Sequence, residues 1–369
     1  MARHLNTGPA ASPAVDARVR AAISHWAPRF VANGVPLSDF EEVTGSVERW
    51  DDWCAAWSTR AQVHEALGDA ALEAGHRLSC AEHFTRAGVC YHFAKFVFVH
   101  RYDEMRAAHA KAVACRNAAL PHLEPAGERV SIAYEGTTLY GNLRKPRGSS
   151  RPPIVIMCMG LDSAKEEMDA YESVFLARGV ATLAFDGPGQ GEAEYELPLR
   201  GDFEAPVKSV VDWVAARSDV DAERIGLWGV SLGGYYAPRA AAFEKRIKAC
   251  ISLSGPYDWA DIWPQLNELT REAFRVRAKC ETEDEALRYG TSLTLKAVAQ
   301  NITCPLFIVA GKHDRIVPWQ DSERLASEAR GPVELLLIDD GNHVANNRGY
   351  RYRTQSADWM ARQLGVALA

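Results

Sequence analysis

The chain has no uninterrupted apolar run approaching the roughly 20 residues that cross a bilayer, so no membrane-spanning helix is expected. Met1 to Pro13 is small and polar without an apolar h-region, and no secretion signal is read there. There is no dense Lys/Arg block, and the net charge is −6, which argues against nucleic acid or an anionic membrane as partner. Eight cysteines (Cys54, Cys80, Cys90, Cys115, Cys158, Cys250, Cys280 and Cys304) contain no Cys-x-x-Cys pair. They read as reduced, mostly buried small hydrophobes, which suits a cytoplasmic protein and excludes a disulfide frame or a zinc site. No His-Glu-x-x-His or other metal-ligand cluster occurs, so no metal is expected. The stretch Asp186-Gly187-Pro188-Gly189-Gln190-Gly191 lacks Gly-x-Gly-x-x-Gly opening a helix, and Gly-Lys-Ser/Thr is missing. Nucleotide phosphates are therefore a poor fit, the stretch reads as a tight structural turn, and no cofactor is expected.

What the chain does have is 369 residues, 47% of them hydrophobic and 24% charged, enough for about two domains with a large core. From about Asp16 to Leu123 the patterns are helical. Trp50, Trp53 and Trp57 fall at i, i+3, i+7 on one helix face. A second helix is expected from Ser79 to about Val99, and a third, Ala-rich, ends near Ala119 before Pro121. Scattered histidines here (His92, His100, His109) read as surface or packing residues. Character changes near Pro121 to Gly127. Arg129–Tyr134 and Leu139–Leu143 alternate as a hairpin, and further strands are expected at 154–159, 180–185, 225–230, 249–253, 306–310 and 333–338. Helix-length segments at 165–178, 205–217, 232–243, 319–329 and 350–364 separate most of them. This alternation predicts an α/β fold, a mostly parallel eight-stranded sheet with an antiparallel start, covered on both faces. Pro256 to Thr303 is too long for a loop and reads as a helical cap over the sheet's C-terminal edge, where ligands bind in such folds. The expected division is a helical domain at 1–125 and an α/β core at 126–369 with its insertion at 256–303.

One stretch carries chemistry. Ile225 to Val230 is an apolar run leading into Gly229-Val230-Ser231-Leu232-Gly233, followed by an Ala-rich helical segment. A strand that turns abruptly into a helix exposes a serine hydroxyl at its apex, above N–H groups suited to an oxyanion. Such a serine needs a base, and the base needs an orienting acid. Only His313 and His343 follow Ser231 in the chain. His343 lies in a turn after the last strand and is the expected base. Asp314 lies after the penultimate strand and is the expected acid, with Asp339 and Asp340 as second choices. The Ser…Asp…His order is that expected of this kind of sheet. The turn Met159-Gly160-Leu161-Asp162-Ser163 should supply the second oxyanion donor. The expected donors are the N–H groups of Leu232 and Leu161, with Gly160 the close alternative.

These residues together resemble the α/β-hydrolases of the serine-esterase group near the prolyl oligopeptidases. With Trp26-Ala27-Pro28-Arg29-Phe30 and Trp50-Asp51-Asp52-Trp53, the chain is more narrowly similar to the group of 2,6-dihydroxypseudooxynicotine hydrolase and of fungal enzymes that shorten polyketide chains. The resemblance covers nearly the whole chain. It implies cleavage of a carbon–carbon bond beside a ketone, a homodimer, and a small-molecule pocket between the helical region and the core. An additional pocket acid is implied too, with Asp258, Asp261 and Glu268 as candidates. Tyr235, Tyr257, Trp259 and Trp263 could line a site for an aromatic group. An esterase, an amidase or an acyl-transferring cyclase keeps the same three residues and remains the alternative, as does a non-catalytic binding protein with this fold.

Overall fold

The computed structural model describes residues 15–367, so the reading of Met1 to Pro13 lies outside the described residues. Among the described residues five α-helices come first: α1 (Ala17–Ala32), α2 (Leu37–Ser46), α3 (Trp53–Glu73), α4 (Arg77–Lys95) and α5 (Tyr102–Ala119). Trp50, Trp53 and Trp57 are all buried, and Phe30 of α1 stacks on Phe93 of α4 at 3.8 Å between ring centroids. These aromatics hold a separate apolar core, which Leu269 of the cap also joins. Helix α4 stops at Lys95, short of the expected Val99. The Phe96 carbonyl that would continue the ladder accepts instead from the Arg277 guanidinium at 2.9 Å.

The sheet has eight strands: β1 (Gly127–Tyr134), β2 (Thr137–Arg144), β3 (Ile154–Cys158), β4 (Ala181–Phe185), β5 (Ile225–Val230), β6 (Ile247–Leu253), β7 (Leu306–Gly311) and β8 (Val333–Ile338). Their spatial order is β1-β2-β4-β3-β5-β6-β7-β8, and every pairing beyond β2 is parallel except that of β2 with β4. Every residue of β3, β4, β5 and β7 is buried, as expected of strands covered on both faces. Helices α6 (Asp169–Leu176), α7 (Glu204–Ala215), α8 (Leu232–Phe243), α12 (Trp319–Glu328) and α13 (Arg353–Gln363) cover it, with α9 (Trp259–Ile262), α10 (Glu268–Arg277) and α11 (Glu283–Gly290) in the inserted cap. Two apolar clusters occupy the two faces of the sheet. The expected helix at 165–178 is divided into a 3-10 turn (Lys165–Glu167) and α6. Lys165 is drawn aside, its backbone N–H and its ammonium both donating to Asp186 at 2.9 and 2.7 Å.

Chain order reverses between β3 and β5, and the crevice outside their C-terminal ends is where open α/β sheets bind ligands. The helical region is joined to the core through buried ion pairs, the first of which lines that crevice. Arg29 meets Glu167 at 2.7 Å, Lys95 meets Glu194 at 2.9 Å, and Arg116 meets Glu172.

Candidate active site

Ser231 sits between β5 and α8 with φ 57° and ψ −122°, a backbone conformation that L-residues rarely adopt. Its neighbours allow it. A Cβ on Gly229 would lie 1.9 Å from the Gly233 carbonyl oxygen, and one on Gly233 would lie 2.2 Å from the Cys158 carbonyl oxygen. Both glycines are thus required by close backbone approach, which presses the turn against β3 and leaves the Ser231 side chain half-exposed.

His343 opens a turn-rich stretch after β8, where Val344 and Ala345 both take positive φ and the Val344 N–H donates to Ser254 Oγ at 3.1 Å. Its Nε2 lies 2.8 Å from Ser231 Oγ and its Nδ1 lies 2.7 Å from Asp314 Oδ2. The other Asp314 oxygen accepts the N–H groups of Ile316 and Val317 at 2.8 and 3.0 Å. This network assigns the proton to Nδ1 and leaves Nε2 as acceptor for the serine hydroxyl. The second-choice acids point elsewhere: Asp339 pairs with Lys312 and Asp340 with Arg348. His313 is exposed beside the aspartate. His25 of α1 lines the same groove as His313, Asp314 and His343. Burial, with His343 nearby, pushes its imidazole down to about 4, so it is neutral near pH 7 and adds no charge beside His343.

The turn after β3 faces the serine. A Cβ on Gly160 would come within 3.2 Å of Ser231 Cβ, and Leu161 lines the same cavity. Neither Leu161 N–H nor Leu232 N–H donates to a described residue, and Gly160 N–H is equally free. The cavity holds about 530 Å³ of space between atoms, its mouth included. Its aromatic walls are Trp26, Tyr171 and Trp259, and its polar wall is Arg29 with Asp162. Arg29 forks onto Glu167 with two contacts of 2.7 Å and donates to Asp162 Oδ1 at 2.7 Å, while Asn33 donates to Glu167 at 2.6 Å. Burial alone would raise the Glu167 carboxyl, but the Arg29 guanidinium outweighs it and holds the group far below the usual carboxylate range. His92 Nε2 lies 3.1 Å from Glu167 but off the line of a hydrogen bond, and burial lowers its pKa.

Of the expected substrate-binding residues, only Trp259 faces this cavity. Tyr235 is turned into the core and donates to the Gly201 carbonyl at 2.7 Å. Tyr257 donates to Glu328. Asp258 accepts the Ala260 and Asp261 N–H groups as the N-cap of α9 and pairs with Lys296, which Asp261 also meets at 3.2 Å. Glu268 pairs with Arg18 at the surface, and Trp263 packs on Phe274. The cap acids are therefore absorbed by capping and surface pairing, and the acids at the cleft are Asp162 and Glu167. Trp26, Arg29 and Asn33 were not assigned from sequence. Their i, i+3, i+7 spacing on one helix face was the available signal.

Two buried sets among the described residues bring three potential metal ligands together: Asp39 with His64 and Cys90, and His109 with Glu166 and Asp186. Each already contains a side-chain cation. Arg60 lies 3.4 Å from Asp39, and Lys165 lies 2.6 Å from Glu166 and 2.7 Å from Asp186. Both sets thus read as internal ion-pair networks.

The Esterase FrsA-like family matches residues 39–271. The chain is 34% identical to a 2,6-dihydropseudooxynicotine hydrolase of Paenarthrobacter nicotinovorans over 336 residues, spanning 90% of each protein. It is 34% identical to the 20-hydroxy-prefusarin hydrolase of Gibberella moniliformis over 226 residues, 58% of this chain and 54% of that one. Among solved structures, the crystal structure of 2,6-dihydroxy-pseudo-oxynicotine hydrolase superposes with a TM-score of 0.84 at 32% identity, covering 92% of this chain and 95% of the other. AbyA5 shares the fold, with a TM-score of 0.70 at 21% identity, covering 84% of this chain and 89% of that one.

Proposed function

The chain belongs to the FrsA-like esterase family and is an α/β-hydrolase enzyme, and from that premise we propose that it is a serine hydrolase cleaving a carbon–carbon bond next to a ketone. The substrate class is an acyl-aromatic ketone or a β-dicarbonyl. The observation that carries this reading is the unbroken line Ser231–His343–Asp314, with contacts of 2.8 and 2.7 Å, opening beneath an aromatic-walled cavity.

Ser231 Oγ attacks the ketone carbon while its proton passes to His343 Nε2, and Asp314 stabilises the resulting imidazolium. The carbonyl π electrons move onto oxygen, where the N–H groups of Leu232 and Leu161, or Gly160 in place of the latter, hold the oxyanion. Collapse breaks the carbon–carbon bond. The departing carbanion is tolerable when a phenol or a second carbonyl delocalises its charge, and it takes the proton from His343. Water, activated by the same imidazole, then releases the acyl group as a carboxylic acid. Asp162 suits such substrates. Its Oδ1 is tied to Arg29, while its Oδ2 accepts from no described residue and can take a hydrogen bond from a hydroxyl flanking the ketone.

Residues 1–125 serve in this reading as a helical domain that walls the pocket and forms a homodimer, against a core at 126–369 bearing its cap at 256–303. Trp26, Arg29 and Asn33 support the first role, and exposed apolar residues on α3 and α4 (Val63, Leu67, Leu78) the second. A cytoplasmic location, readable by cell fractionation, suits the cysteines, none of them disulfide-bonded. The family match favours an ester bond as the second reading. A panel of matched aryl ketone, ester and amide substrates separates the two. Hydrolysis of the ketone, lost in Ser231→Ala, with an acyl adduct on Ser231 by mass spectrometry, is expected. Turnover of the ester alone, or a competent Ser231→Ala enzyme, defeats the carbon–carbon reading or the nucleophile role respectively.

A further inference from the structure

The glycine-rich stretch at 186–191 reads from sequence as a tight structural turn, and it supplies no group to the proposed serine chemistry. Gln190 lies within it, 1% exposed, and is not among the residues that line the Ser231 cavity. Its Oε1 accepts the Gly187 N–H at 3.1 Å, and its Nε2 donates to two carbonyls of the turn after β3, Met159 O at 2.6 Å and Gly160 O at 3.1 Å. All of the amide's donors and its acceptor face complementary groups, which assigns its orientation, because a flipped amide would set donor against donor and acceptor against acceptor.

The consequence follows from peptide planarity. The only cis peptide among the described residues is Glu124-Pro125, so the Met159-Gly160 and Gly160-Leu161 peptides are trans. In a trans peptide the C=O and N–H of one unit point in opposite directions. A side chain that holds the Gly160 carbonyl on one side therefore aims the Leu161 N–H to the other, and the same argument applies to the Met159 carbonyl and the Gly160 N–H. The other side is the cavity, since Leu161 lines it and Gly160 abuts Ser231.

The glycines around Gln190 keep it there. A Cβ on Gly191 would lie 2.0 Å from Asp186 Oδ2, and Gly189 has φ +74° and no room beside Leu199. Asp186 in turn anchors the stretch by accepting from Lys165 Nζ and from the Glu192 N–H at 2.7 and 3.0 Å.

We infer that Gln190 is a positioning residue that orients the oxyanion-binding peptide after β3, so that the glycine-rich turn works as the back support of the reaction site. This rests on the proposed serine mechanism, because the N–H groups it aims matter only if an oxyanion forms on a Ser231 adduct. Any acyl or ketone substrate processed through such an adduct draws on the same support.

The test compares Gln190→Met, which keeps volume and loses both donors, Gln190→Glu, which sets a carboxylate against two carbonyls, and Gln190→Asn, which keeps the amide on a shorter arm. All are assayed as full-length enzyme with 4-nitrophenyl acetate below their unfolding midpoints. Rates are expressed per serine titrated to completion by a fluorophosphonate, so that any unfolded fraction drops out. Removing an oxyanion donor typically costs 10²–10³ in kcat, and misaiming one is expected to cost about 10–10²-fold here. KM should stay within about twofold, Gln190→Glu should be the most impaired, and Gln190→Asn should recover part of the rate. Affinity for a trifluoromethyl ketone, which forms a hemiketal oxyanion on the serine, should fall in parallel with kcat. Wild-type kcat per titrated serine in Gln190→Met, or a change in KM alone, overturns the inference while leaving the nucleophile standing. Failure of the wild-type enzyme to take fluorophosphonate on Ser231 overturns the serine mechanism itself, and this inference with it.

Discussion

Glu167→Gln is the change that most directly probes how the helical region is fastened over the cleft. The Glu167 carboxylate is 1% exposed and accepts both arms of the Arg29 fork at 2.7 Å and the Asn33 amide at 2.6 Å. A glutamine of the same shape keeps one acceptor and turns its amide donor toward the guanidinium, leaving Arg29 with Asp162 and the Ser163 hydroxyl. Removing one partner of a buried ion pair costs about 3–5 kcal/mol, and the surviving Asp162 contact places the expectation near the lower end, about 3 kcal/mol. Arg29→Met should cost a similar amount, since it leaves Glu167 buried with no cation in contact. A double Arg29→Met, Glu167→Gln variant leaves neither charge uncompensated. It should therefore be more stable than the sum of the two single changes implies, by about 2 kcal/mol. Urea unfolding at pH 7, followed by tryptophan fluorescence, reads all three against the parent. A Glu167→Gln unfolding free energy within about 0.5 kcal/mol of the parent, or strict additivity in the double variant, would refute the idea that this pair clamps α1 to the core.

The same carboxylate sets a pH dependence. Its folded-state pKa lies below the unfolded value near 4.5, so its contribution is complete above that pH and is lost progressively as pH falls further. The parent should thus lose stability toward pH 3 more steeply than Glu167→Gln does.

Asp321 behaves in the opposite sense. Burial, with Asp261 nearby, pushes its carboxyl up to about 6, although its Oδ2 accepts the Tyr257 N–H at 2.9 Å. The folded state holds the proton more tightly than the unfolded chain, so stability declines as pH rises from about 3.8 to about 6 and stays lower above. Asp321→Asn can keep the acceptor without the charge. It should melt above the parent at pH 8, with the gap closing by pH 4 in differential scanning fluorimetry; an equal gap at both pH values would discount the titration. For the assembly, sedimentation velocity should give twice the 40.6 kDa chain mass, and Leu67→Glu should shift the distribution toward the single chain. A single-chain mass for the parent at micromolar concentration would remove the dimer.

The reach of the sequence varied residue by residue. Strands β3 to β8 are legible because each is a short, mostly apolar run interrupted by at most two polar residues, and Ser231 because a tight strand-to-helix turn has its own local chemistry. Asp314 and His343 could be named because strand order constrains which loops meet at the sheet's C-terminal edge. Tyr235 departs from the pocket expectation for a reason that spacing cannot show: it lies four residues beyond Ser231, and its hydroxyl is claimed by the Gly201 carbonyl. Asp258 and Asp261 looked like pocket acids, but capping of α9 and Lys296 compete for them.

What the sequence by itself determined is therefore the sheet, the strand-to-helix turn at Ser231 and the chain order of Ser231, Asp314 and His343, because these depend on local periodicity and on a topology with few alternatives. Only the tertiary structure decided what surrounds the serine. Arg29 lies more than a hundred residues from Glu167 and Asp162, and Gln190 some thirty from the carbonyls it holds. Such pairings bring together buried charges and amides from distant segments, and no local pattern encodes which partner each finds.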